Sequence, residues 1–117
     1  MDYQLISDSS CDLEQSLREK YDIEVVPFYI SFDEENYQKE VEEIAIDDVY
    51  RKMVDFPKQY PKTSLPSVQN YVDAFTPHAR EGRAVICICI TTSLSGSYNS
   101  ACNAKEIVCE EYPEAKI

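Results

Sequence analysis

Residues 84–97 read AVICICITTSLSGS, an unbroken apolar run that passes directly into a hydroxyl-rich turn containing a glycine. The run has the length of a strand and is bounded by Gly82 and by hydroxyl residues. It is therefore expected to be a central parallel strand covered on both faces. The turn at residues 91–97 leads into a helix expected over residues 98–112, with Ala101, Ala104 and Val108 facing inward. A strand, a polar loop and a helix in that order form the unit from which parallel α/β sheets are built.

The same unit recurs at the start of the chain. Residues 3–7 read as a short strand, followed by the polar tetrad Ser7, Ser9 and Ser10 around Asp8. Asp12 is then the expected N-cap of a first helix, because Leu13, Leu17 and Tyr21 recur at helical spacing. Residues 23–32 are rich in β-branched and aromatic side chains and read as a second strand, with Pro27 marking an edge or a bulge. A second helix is expected over residues 46–56, with Val49, Met53 and Phe56 on one face and Asp47 and Asp48 near its start. The segment at residues 61–67, PKTSLPS, has prolines at both sides and is expected to be a stiff, extended loop. Ser67 is the expected cap of a third helix in which Val68, Tyr71, Val72 and Phe75 share a face, with Pro77 weakening its last turn. Residues 115–117 read as the opening of another strand, and a sheet strand cut short leads us to expect that residues 1–117 are a fragment of a longer protein.

Charge narrows the possible partners. The 117 residues carry 22 acidic and 11 basic side chains, a formal net charge of -11. Nucleic acid and anionic membrane surfaces both require a basic footprint that this chain lacks. The acid is concentrated in residues 33–48, read as a solvated connection; its spacing is not that of an EF-hand loop, because no glycine sits where the sharp turn is needed. The five cysteines are an odd number, and the N-terminal residues resemble neither a signal peptide nor a membrane span. Free thiols in the cytoplasm are expected. Cys87 and Cys89 share one face of their strand and are read as small hydrophobes rather than metal ligands.

Ligands of open α/β sheets collect beyond the carboxyl ends of the strands, where loops lead into helix N-termini. Two loops qualify, residues 7–10 and residues 91–97. Each offers hydroxyl groups and backbone N–H donors at the positive end of a helix dipole, a setting for a carboxylate or a phosphate. Gly96 allows close approach of a ligand to the backbone. Neither loop is a phosphate-binding Walker motif, since no lysine follows the glycine, and the Ser93 to Gly96 turn lacks the frame of a nucleophile elbow. His78, the only histidine, is expected at the surface near a helix end.

Four segments resemble the DegV family. Ser7 to Ser10 with Asp12 and Leu13 matches its D-S-S-x-D-L opening, and residues 23–27, IEVVP, match its I-x-V-V-P strand. Residues 61–67 match P-K-T-S-Q-P-S with Leu65 in place of glutamine, and residues 93–101 match its S-x-L-S-G-T-Y-x-S-A turn. The residues 33–37 depart from the family in lacking its D-G turn. This resemblance implies an α/β, three-layer parallel-sheet domain, the N-terminal half of a two-domain protein that holds a long-chain fatty acid. It also implies a non-catalytic role in lipid metabolism, with no cofactor other than the bound fatty acid. In some members that role is to present the acyl group to a separate fatty acid kinase. Carried onto this sequence, the carboxylate contacts fall on Thr63 and Ser95, with Ser64, Ser93 and Gly96 as neighbours and Asp8, Ser9 and Ser10 as secondary candidates. Two other readings stay open: a small-molecule hydrolase or phosphotransferase with Ser93 or Ser95 as nucleophile, and a protein-docking domain that uses the acidic face.

Overall fold

The computed structural model describes residues 2–117 and contains two three-stranded sheets. The first is parallel: β1 (Tyr3–Asp8) is central, flanked by β2 (Ile23–Val26) and β6 (Ala84–Ile88). Leu5 stands opposite both Ile23 and Ile86, which fixes the register. Because side chains alternate along a strand, Ile6, Val26 and Val85 point together to one face. There they pack with Tyr71 and Phe75 of α3 (Val68–Arg80) and with Ala101, Ala104 and Val108 of α4 (Ser97–Glu111). On the opposite face the short α1 (Gln15–Lys20) reaches Ile23. The domain is thus α/β with a parallel sheet.

The strand expected to be central is an edge strand among those described. β6 leaves Ile86 50 % and Ile88 59 % exposed, and β1 takes the centre. The polar letters of β1 conceal its burial: Gln4 is buried because its Nε2 donates to the Asp22 carbonyl at 2.7 Å. Residues 115–117 lie along β6, where the Val85 N–H donates to the Lys116 carbonyl at 2.8 Å, but they form no strand.

The expected strand at residues 23–32 divides at Pro27. β2 ends at Val26, and β3 (Tyr29–Ser31) belongs to the second sheet, where it pairs antiparallel with β4 (Gln38–Lys39) and β5 (Lys62–Ser64). Proline has no N–H to continue a ladder, and the next residue turns away: the Phe28 N–H donates to Ser9 Oγ at 2.9 Å. The segment expected as an extended loop is therefore a strand, since the residues between its prolines keep their N–H groups. Thr63 stands opposite Ile30, and Ser64 opposite Tyr29.

α2 and α4 fall within one residue of their expected bounds, and the larger difference is at α1. Asp12 does not cap α1; it closes a 3-10 turn (Ser9–Cys11) in the left-handed region at φ 47, and Glu14 precedes the helix. Leu17 and Tyr21 remain exposed. α3 starts as expected: Ser67 Oγ accepts from the Asn70 N–H at 3.0 Å, and Asn70 Oδ1 accepts from the Ser67 N–H at 2.9 Å. α2 (Ile46–Asp55) has the expected amphipathic pattern but buries none of its residues, leaving Tyr50, Met53 and Val54 exposed together with Phe56 just beyond its end. The acidic connection is ordered by Asp33, whose carboxylate accepts from the Asn36 N–H at 2.7 Å, the Asn36 side-chain amide at 2.8 Å and the Glu35 N–H at 2.9 Å. Those donors hold the Asp33 carboxyl well below the usual carboxylate range.

Candidate functional site

β2 and β6 lie on opposite sides of β1, and the loops that follow β1 and β6 come together at the carboxyl ends of these neighbouring strands, the end of an open α/β sheet where ligands collect. A carboxylate does sit there, and it belongs to the protein. Asp8 is fully buried. Its Oδ1 accepts from the Ser10 N–H at 3.3 Å and from the Ser10 hydroxyl, and its Oδ2 accepts from the Ile90 N–H and the Ser97 hydroxyl, both at 2.9 Å. The Ser97 hydroxyl is also 2.6 Å from the Tyr71 hydroxyl, whose ionisation burial pushes well above the ordinary tyrosine range. Asp8 thus joins the two loops that the sequence offered as separate anion sites.

The secondary candidates are consequently committed to the fold. Ser9 is buried, and its hydroxyl takes the Phe28 N–H. Glu40 is half-buried, and burial raises its pKa above the ordinary value, opposed by the nearby Ser9 hydroxyl and reinforced by the charges of Asp12 and Asp8. Ser10 is exposed, but its N–H and hydroxyl point at Asp8.

The turn at residues 91–97 is organised around Thr91. Its carbonyl accepts from the Leu94 and Ser95 N–H groups at 3.0 and 3.3 Å, and its hydroxyl accepts from the Ser93 N–H at 3.3 Å. Ser95 Oγ accepts from the Ser97 N–H at 3.2 Å, which leaves the Ser95 hydroxyl proton free to donate outward. Gly96 is the N-cap residue of α4, where helix N–H groups remain open to an anion. Ser93 is exposed, while Ser95 and Gly96 are half-buried.

Thr63 and Ser64 are both exposed on β5. Leu65 follows, and its Cδ2 would lie 3.5 Å from a Cβ placed on Gly96. The two hydroxyl segments therefore meet through Leu65 and Gly96. Open clefts lie elsewhere, among them one of about 600 Å³ lined by α1 and α2 and one of about 170 Å³ beside α4 lined by Phe75, Cys87, Cys89, Tyr98 and Cys102. Around the Leu65–Gly96 contact, Thr63, Ser64, Ser93 and Ser95 carry neutral hydroxyl donors and α4 begins, and donors of that chemistry suit an anion.

His78 is not at the surface. It is 7 % exposed, and its Nε2 lies 2.8 Å from Glu24 Oε1 on β2 while Nδ1 has no partner. It serves neither loop serine as a base in this arrangement. The five cysteines are free; Cys87 and Cys89 Sγ atoms are 3.8 Å apart, and Cys87 is held protonated by its bond to Cys89 and by burial. Sequence reasoning missed Ser97 and the Tyr71 hydroxyl, because their link to Asp8 joins distant parts of the chain. No local spacing signals it.

A model of the DegV family of uncharacterised proteins matches residues 2–117. A DegV domain-containing protein of Clostridium perfringens is 38 % identical over 101 residues, which cover 86 % of this chain and 36 % of the relative. Among solved structures, a stearic acid-binding protein from Eubacterium ventriosum is 50 % identical with a TM-score of 0.93, covering 98 % of this chain and 39 % of that one. A DegV fatty acid binding protein from Bacillus subtilis is 25 % identical with a TM-score of 0.79, covering 92 % of this chain and 38 % of that one. The chain thus spans well under half the length of these relatives.

Proposed function

The chain belongs to the DegV family, and from that premise we propose that it binds a long-chain fatty acid by its carboxylate. The observation that carries this reading is the likeness to the stearic acid-binding protein of Eubacterium ventriosum. The paired hydroxyl segments support it: Thr63 and Ser95 donate to the carboxylate, with Ser64, Ser93 and Gly96 as its immediate surroundings. An ionised carboxylate suits neutral donors at a helix N-terminus. Burial of the acyl chain supplies most of the affinity.

In this reading the chain is the N-terminal domain of a two-domain protein, and the second domain completes the acyl tunnel. The protein is a non-catalytic carrier in the cytoplasm that presents the acyl group to lipid metabolism, with a fatty acid kinase as its partner. The acidic connection at residues 33–48 is then solvated surface. Native mass spectrometry of the intact protein purified from cells tests the proposal, with a co-purifying fatty acid as the expected result. Repeated recovery of protein free of fatty acid, together with no binding of added palmitate, overturns it. Thr63→Ala and Ser95→Ala are each expected to weaken palmitate binding about tenfold to a hundredfold, the loss of one hydrogen bond to a charged group.

A further inference from the structure

The small antiparallel sheet carries Thr63, whereas Ser95 stands on the turn before α4, so any joint action of the two hydroxyls depends on how these parts are held together. Two hydrogen bonds tie the sheet to the main body. The Phe28 N–H donates to Ser9 Oγ at 2.9 Å, and the Tyr29 hydroxyl bonds Asn70 Oδ1 at 3.3 Å. Neither reaches the α4 turn.

Leu65 does. Its backbone is fixed between β5 and the fully buried Pro66, and its Cδ2 lies 3.5 Å from where a Gly96 Cβ would be. Gly96 has φ -81, a conformation open to any residue, and a Cβ there would meet Leu65 only in ordinary van der Waals contact, so what matters at this point is that the partly exposed leucine brings the β5 segment up against the α4 turn. Gly96 in turn is followed by Ser97, anchored to Asp8 and Tyr71. We propose that Leu65, seated on Gly96, is a positioning residue that sets the spacing of the Thr63 and Ser95 hydroxyls and so the preference of the site for an ionised carboxylate. The inference rests on the fatty-acid reading above.

The test compares palmitate with methyl palmitate on the delipidated intact protein. Leu65→Ala is expected to lower the acid-to-ester affinity ratio about tenfold while affinity for the ester changes little. Leu65→Met, which keeps the volume, is expected to restore the ratio. A Leu65→Ala protein with the original ratio overturns the inference, as does equal weakening of acid and ester, which marks a general structural role. Should Leu65→Ala not fold, Leu65→Val is read by the same ratio, and an unchanged ratio there has the same meaning. Unsubstituted protein that binds neither ligand, or does not distinguish them, overturns the fatty-acid reading and this inference with it.

Discussion

Asp8 is a buried carboxylate whose oxygens are filled by Ser10, Ile90 and Ser97. Asp8→Ala leaves the buried Ser97 hydroxyl and the half-buried Ile90 N–H without this acceptor, and a loss of about 3 kcal/mol in urea unfolding is expected, with Ser97→Ala costing about 1 kcal/mol. At Glu40, burial raises the folded pKa above the unfolded value. The folded state then holds the proton more tightly, so stability declines as pH rises from the unfolded pKa through the folded one. Glu40→Gln is expected to raise the urea midpoint at pH 7, and the gain should vanish below about pH 4, where both forms of the glutamate are neutral. Sequence made Asp8 and its serines visible as polar residues at a strand end. It did not distinguish an anion site from an anion already in place, because the partners of Asp8 come from the far end of the chain.

Among the elements, α3 was the most legible, since its cap, its periodicity and its buried Tyr71 and Phe75 agree. Ser67→Ala is expected to cost about 1 kcal/mol in thermal or chemical unfolding. Asn70→Ala should cost more, about 2 kcal/mol, because Asn70 Oδ1 serves both the Ser67 N–H and the Tyr29 hydroxyl. The antiparallel sheet was not legible. Its strands are two or three residues long, too short for an alternation to register, and β5 lies between prolines that read as loop signals. Pro27 was read as marking an edge or a bulge of a single strand, whereas the chain changes sheet there, a choice that the missing N–H alone does not decide. Likewise, the continuous apolar letters of β6 promised cover on both faces, whereas strand order depends on pairings far apart in the chain.

For the molecule as a whole, the motif order and spacing across the chain were enough to place the family, while the arrangement of the two sheets was not. The amphipathic α2 leaves Val54 77 % exposed, and Leu94 on the turn before α4 is 75 % exposed. Apolar surface of this kind drives association when nothing covers it. A polypeptide of residues 1–117 is expected to bind a hydrophobic dye and to self-associate in sedimentation experiments. Val54→Lys with Leu94→Lys should reduce both without lowering the urea midpoint, since neither side chain packs in the core. The bonds from Asp8 to Ile90 and Ser97 cross 82 and 89 residues of sequence. Closures of that span carry a larger loop entropy than local ones. A nascent chain leaving the ribosome therefore holds Asp8 without two of its partners until residues 90–97 have emerged and β6 docks on β1.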